Sequence, residues 1–273
     1  MSVAALDRDS DVPVDTSPGR SRLVVDPTGA LLAASLECEA GAFFARYGNT
    51  QEQLDAEYRA YDAQRRFISL VDDRGDVVAT TRVTAPGPAG LKTFQDCAAA
   101  PWSVDAVAAL ERMGVDPLST WDVTTISVRR GTRRSALASA ALFHGLIQTM
   151  RANGASATVA ILDTRVRALL RTFGLEYRAI AGTTPAEYLG SPASLPVVAP
   201  FAAMMAEQRR RMPEAHRLMS MGVGLGDIEL PPLSDYVWPR TLDLRDAVTT
   251  SQHPGARLVE VGVPAGDPVE HVA

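Results

Sequence analysis

The run 121–143 constrains this chain more than any other. Val123, Ile126 and Val128 mark a buried strand over 123–128, and Arg129, Arg130, Gly131, Thr132, Arg133 and Arg134 a short turn. A helix that is apolar on most sides follows over 135–152. Such a turn leaves unpaired N–H groups at the positive end of a helix, a place receptive to phosphate. The four arginines would add charge-assisted hydrogen bonds to phosphate oxygens. Alone, the run also fits a solvated basic loop.

Composition narrows the choice. The 273 residues are 46% hydrophobic and 22% charged, as in ordinary globular proteins. A net charge of -5 argues against a nucleic-acid partner, so the arginine cluster is local. Cys38 and Cys97 lack metal-ligand spacing and read as reduced core thiols, with a disulfide as the alternative. No metal and no tightly bound cofactor is expected. Residues 1–20 carry acids and lack the apolar run of a secretion signal. The helix over 135–152 holds His144 and Gln148, and 194–206 is broken by Pro196 and Pro200, so neither predicts a membrane span. The expected location is cytoplasmic.

Along the chain, 1–20 is rich in Asp, Ser and Pro and reads as disordered. Residues 22–35 read as a strand or hairpin around Pro27-Thr28-Gly29, and Phe43, Phe44 and Tyr47 close a short helix ended by Gly48. A helix over 51–64 follows, with Leu54, Tyr58 and Tyr61 on one face. Next come a hairpin of 67–71 and 77–83, a Pro/Gly loop over 85–90 and a helix over 104–113. After the central helix, 158–162 is a short strand, and Asp163 caps a helix with Val166, Leu169, Leu170 and Phe173 as its stripe. Residues 177–181 and 195–199 are further strands. Beyond Pro200 a Met- and Arg-rich helix over 201–219 begins an extension that Tyr236, Trp238, Leu242 and Leu244 would dock on the core.

The order of these elements resembles the GCN5-related N-acetyltransferase (GNAT) fold. Its pyrophosphate-binding turn, Arg/Gln-x-x-Gly-x-Gly/Ala, corresponds to Arg133-Arg134-Ser135-Ala136-Leu137-Ala138, with Ala136 in place of the first glycine. A second resemblance is more specific. Over 44–190 the chain is similar to the acyl-homoserine-lactone synthases and the long-chain N-acyl amino acid synthases. Their Glu-x-Asp-x-x-Asp reads Glu57-Tyr58-Arg59-Ala60-Tyr61-Asp62 here; Gly75 to Val78 and Thr81 to Pro86 resemble their Gly-x-Val-Val and Arg-Leu-x-Pro-Thr steps. Trp121-Asp122-Val123-Thr124 resembles their Trp-Glu-Leu-Ser/Thr, while Thr125 stands where they carry arginine. Arg59 and Thr125 point away from S-adenosylmethionine as acceptor and leave acyl transfer itself in place.

The resemblance implies an α/β fold with a mixed central sheet flanked by helices: an acyltransferase domain over 21–206, a helical extension packed on it over 207–249, and a flexible tail over 250–273. It implies transfer of an acyl group from acyl-CoA, or from acyl carrier protein as partner, to a small-molecule amine. Val128, Arg133, Arg134, Ser135, Ala136 and Ala138 would hold the donor, and Phe44, Asp62, Phe94 and Thr124 would shape the substrate pocket. The strands around 126–128 and 158–162 would splay to hold the pantetheine arm, with the Val128 N–H polarising the thioester carbonyl. Asp122 and Glu57 are the carboxylates expected to take the amine proton, although Glu57 also fits a solvated helix face. Arg82, in a half-buried strand, must pair, and Asp62, Asp122 or a substrate carboxylate are its expected partners. His144 reads as a core histidine, and no Ser-His-Asp order is present. Two alternatives remain: a short-chain N-acetyltransferase acting on a small amine, and a non-catalytic module that binds an acyl-thioester or a partner.

Overall fold

The computed structural model describes residues 20–238. Its strands are β1 (Ser21–Val25), β2 (Arg65–Val71), β3 (Val77–Thr84), β4 (Thr120–Val128), β5 (Ala157–Asp163), β6 (Arg178–Ala179), β7 (Ala186–Tyr188), β8 (Ser191–Pro200) and β9 (Ile228–Glu229). Its helices are α1 (Gly29–Tyr47), α2 (Gln51–Tyr58), α3 (Lys92–Ala98), α4 (Ala106–Arg112), α5 (Ser135–Ala152), α6 (Thr164–Thr172), α7 (Phe201–Arg211) and α8 (Pro213–Met221). One sheet runs in the order β6-β8-β5-β4-β3-β2-β1-β9, with β7 on β8. β1 to β4 pair antiparallel in succession, β4 and β5 pair parallel, and β5 and β8 pair antiparallel. This is the mixed sheet flanked by helices that the element order predicts.

Two irregularities in β4 set up the site. Arg82 pairs with Thr125 but Val83 with Val123, so Thr124 is an extra residue that bulges the strand. The parallel ladder to β5 holds only Thr120, Trp121 and Asp122, after which the strands part. Side chains alternate across the sheet. Arg82 meets α1 on one face, while Val83 joins the core beneath α5 on the other. The approach of α5 is close: a Cβ at Gly145 would lie 2.7 Å from Ile68 Cγ2, so this position admits little more than glycine.

Several sequence expectations change. The strand over 22–35 ends at Val25, and the rest belongs to α1, which is far longer than the short helix predicted before Gly48. Pro27-Thr28-Gly29 is a helix start rather than a hairpin turn, and the Ala- and Leu-rich residues after it favour helix. The helix over 51–64 tightens into a 3-10 turn from Arg59 to Gln64. α3, absent from the sequence reading, follows the 85–90 loop. The 201–219 helix breaks at Pro213, which lacks an N–H for the ladder and opens α8. The 177–181 strand shrinks to β6.

The extension lies against the sheet. β9 pairs parallel with β1, and α8 packs on α5. Arg66 donates to the carbonyls of Asp235, Tyr236 and Val237, and Trp238 meets Trp121 edge-on at 5.6 Å. Leu242, Leu244, residues 1–19, the remainder of the extension to 249 and the 250–273 tail lie outside the described residues. Cys38 and Cys97 are both buried and unbridged. Burial pushes their thiols up to about 11 and about 12. Among the described residues no helix is long and apolar enough to cross a membrane, and no His, Cys, Asp and Glu cluster fits a metal.

Candidate active site

Where β4 and β5 part, a cleft of about 360 Å³ opens between them. Val123, Thr124, Thr125, Ser127 and Val128 form one wall and Ala160 and Leu162 the other, with Val166, Leu170 and Tyr177 beneath. Phe43, Arg46 and Tyr47 of α1, Tyr58 of α2 and Tyr188 of β7 close its head. Thr124 Oγ1 donates to the Arg82 carbonyl at 3.2 Å, which pins the bulge. Ser127 Oγ is buried without a hydrogen-bond partner among the described residues, so a ligand in the cleft could satisfy it.

The cleft continues into a hollow of about 420 Å³ along the small residues Gly41, Ala42 and Ala45 of α1. Ala42, Arg46 and Val128 line both spaces, and the hollow ends at Arg129 and Arg130. There the chain turns into α5, whose first N–H groups have no intrahelical acceptor. Thr132 Oγ1 donates to the Arg129 carbonyl at 2.6 Å and so fixes the turn. The continuous space is therefore apolar between the strands and basic at Arg46, Arg129 and Arg130, the last two in the turn that leads to α5.

The residues singled out in the sequence distribute unevenly around it. Val128 and Thr124 line the cleft. Arg133, Arg134 and Ala138 line a third hollow, on the β2–β3 side of the turn, together with Asp72, Asp73, Asp76 and Asp227; Arg129 and Arg130 border this hollow as well as the one along α1. Arg134 is ion-paired with Asp227. Ser135 and Ala136 are exposed at the start of α5. Phe44 is 63% exposed; Phe43, one helical step away, takes the place in the cleft wall. Phe94, on α3, is half-buried and packs against a core cluster that includes Ala106, Ala109 and Leu110 of α4.

Arg82 does pair, but with neither Asp62 nor Asp122. Its guanidinium grips Glu39 of α1 through two contacts, one of 3.1 Å from Nε to Oε1, and the Thr125 hydroxyl donates to the same carboxylate. Tyr58 and Phe67 stack on Arg82 with ring centroids at 4.1 and 4.9 Å. Asp62 is half exposed and pairs with Arg65.

Asp122 is fully buried and accepts from Thr93 twice, 2.7 Å from the backbone N–H and 2.8 Å from Oγ1. Burial raises its carboxyl to about 7 against those two bonds. It stands behind Val123 and does not line the cleft. Glu57 accepts from Lys92 Nζ at 2.8 Å, and Lys92 also binds Asp96 at 2.8 Å. Tyr188 donates its hydroxyl to Asp96. Burial, then nearby Tyr58 and Asp96, pushes the Tyr188 phenol well up.

Glu39, Lys92, Thr93 and Asp96 are not singled out by the sequence reading, and Tyr188 is matched only to a closing strand of the synthases, with no role in the site. Glu39 would have stood out as a charge on the apolar face of α1 had that helix been recognised. Lys92 carries a plainer signal, being the only lysine in the chain.

A sheet whose parallel pair parts beside a bulge, with a basic turn leading into a helix at its end, defines a GNAT-like acyltransferase fold. Two solved structures share it. One is FeeM, an N-acyl amino acid synthase from uncultured soil microbes, at a TM-score of 0.54 and 11% identity over 69% of this chain and 94% of that one. The other is BjaI, a CoA-dependent acyl-homoserine lactone synthase solved with SAM and isopentyl-CoA, at 0.51 and 15% over 82% and 99%. At these identities the likeness is one of fold. No protein-family model and no curated protein sequence matches the chain.

Proposed function

We propose that this protein transfers an acyl group from a coenzyme A or acyl carrier protein thioester to a small-molecule amine. The observation that carries the reading is the continuous space from the parted strands to the basic turn. Its apolar part, from Val123 to Leu170, suits an acyl chain, whose burial is favourable at about 0.8 kcal/mol per methylene. Its other end offers Arg129 and Arg130 to phosphate. The thioester would then lie along β4, whose edge beyond Asp122 has no ladder partner on β5 and can present N–H groups to the carbonyl oxygen as it becomes an oxyanion. The amine would approach from the head of the cleft, between Tyr58 and Tyr188.

A non-catalytic acyl-thioester-binding module is the second reading. It is favoured by the engagement of both carboxylates named in the sequence, Asp122 by Thr93 and Glu57 by Lys92. One experiment separates the two. Purified protein is incubated with octanoyl-coenzyme A and a panel of amino acids, with thiol release and amide formation read together. Amide formation above the uncatalysed rate supports the enzyme. Tight thioester binding without turnover establishes the binding module, and no thioester binding removes both.

A further inference from the structure

Lys92 is the only lysine among 273 residues, in a chain that otherwise uses arginine for its fixed cations. Its ammonium bonds Glu57 and Asp96 and lies 5.5 and 5.7 Å from the ring centroids of Tyr58 and Tyr188. Both rings line the cleft. The Tyr188 hydroxyl donates to Asp96 Oδ2, which leaves its oxygen free to accept. Two carboxylates around one ammonium give the cluster a surplus negative charge, and such a surplus draws in a cation.

We propose that the acceptor amine loses its proton through Tyr188 to Asp96. This rests on the acyl-transfer reading and names the residues that move its proton. The ammonium donates to Tyr188 Oη, and its proton passes to that oxygen as the Tyr188 proton passes to Asp96 Oδ2. The phenol stays neutral throughout, in keeping with the burial that disfavours its anion. Asp96 ends neutral, Lys92 keeps Glu57 as its counter-ion, and the total charge is unchanged. The nitrogen lone pair then attacks the thioester carbonyl carbon. The C–N bond forms, the C–S bond breaks with its electron pair on sulfur, and a second proton from nitrogen neutralises the thiolate. Asp96 finally returns its proton to solvent. Tyr188 is the catalytic residue, and Asp96 and Lys92 act through it as positioning residues. The ionisable groups facing this pair are Glu57, Tyr58 and Lys92, with Asp122 and Tyr61 behind them.

Tyr188→Phe tests the relay, because it keeps the ring against Trp102, 5.5 Å away, and removes only the hydroxyl. Octanoyl-coenzyme A serves as donor, with L-phenylalanine and the less basic L-phenylalaninamide as acceptors. The variant should bind the donor as wild type does and lose about 100-fold in kcat/KM for the acceptor near pH 7. The loss should shrink as pH rises toward the pKa of the ammonium, and should be smaller for the amide. Asp96→Asn should give the same profile. A Tyr188→Phe enzyme equal to wild type, or depressed equally at every pH, overturns the relay and leaves acyl transfer standing. A wild type that forms no amide from either acceptor or from any of the common amino acids overturns acyl transfer, and the relay with it.

Discussion

Removing the Glu39 carboxylate probes the polar layer on which the cleft wall rests. Arg82 and Glu39 are about 1% and 0% exposed, so neither charge has water to fall back on. Breaking a buried pair by removing one partner costs about 3–5 kcal/mol, since the other charge stays buried and uncompensated. Stacking of Arg82 on Tyr58 and Phe67 is present before and after the substitution, so it does not offset this loss. Glu39→Gln, which keeps the volume, should therefore lose about 3–5 kcal/mol, or about 6–20 °C in Tm for a domain of this size. The double variant Glu39→Met with Arg82→Met removes both charges. It should return to within about 1–3 kcal/mol of wild type, the residue being the Thr125 hydroxyl left without its acceptor. Urea unfolding of wild type, Glu39→Met, Arg82→Met and the double variant at pH 7 completes the cycle. Single losses below about 1 kcal/mol, or a double variant equal to the sum of the singles, would refute the placement of a coupled buried pair there.

Three further outcomes follow from the site and its surroundings. Arg129→Glu with Arg130→Glu should weaken coenzyme A binding by about tenfold or more, whereas Arg134→Ala, whose side chain is taken up by Asp227, should change it by less than about twofold; calorimetry giving the reverse order would move the phosphate site across the turn. His144, buried against the Met219 carbonyl, has its pKa lowered mainly by burial. The unfolded chain thus takes up a proton below about pH 6.5 that the folded one resists, so stability should fall as pH drops through that range, and His144→Gln should flatten the fall in urea titrations between pH 7.5 and 5. Leu170→Phe, at the closed end of the cleft, should shift preference to shorter acyl chains, with roughly tenfold or more discrimination per surplus methylene; an unchanged chain-length profile in competition assays would place the acyl tail elsewhere.

Legibility in the sequence followed the range of the interactions. The central helix is read correctly over 135–152 because its signal is local: a long apolar run between a basic turn and Gly154. The hairpin of β2 and β3 is legible for the same reason, its Asp72 to Gly75 turn separating two β-rich runs. α1 was hidden by a local ambiguity, since Pro27-Thr28-Gly29 serves a hairpin as well as a helix start. Losing that helix also lost Glu39, and with it the partner of Arg82, which lies 43 residues away in sequence. The resemblance puts Phe44 at the pocket, whereas α1 turns Phe43 to the cleft and leaves Phe44 exposed. Thr93 on Asp122 and Tyr188 on Asp96 join segments that nothing local brings together.

The sheet itself supplies the ordering that the sequence withholds. On the α5 face, β3 and β4 present Ala79, Val83, Trp121, Val123 and Ile126, all within one apolar core. On the α1 and α3 face they present Thr80, Arg82, Thr84, Asp122, Thr125 and Ser127, bonded to or set beside Ser69, Glu39 and Thr93. The alternation that separates these sets is visible in the sequence until Thr124, where the bulge adds one residue and reverses the phase. Read without it, Thr125 and Ser127 fall on the apolar face and Ile126 on the polar one. The residue that opens the strand to a ligand is thus the same residue that conceals the site from a period-two reading. Deleting Thr124 should restore the simple alternation and pair β4 to β3 without a break, with Thr125 still opposite Arg82 and Ser127 still opposite Thr80; it removes the bend beside the parting of β4 from β5, so donor binding should be lost while the α5 face keeps its apolar pattern. Retained coenzyme A affinity in that deletion variant would show that the bulge is not what builds the cleft.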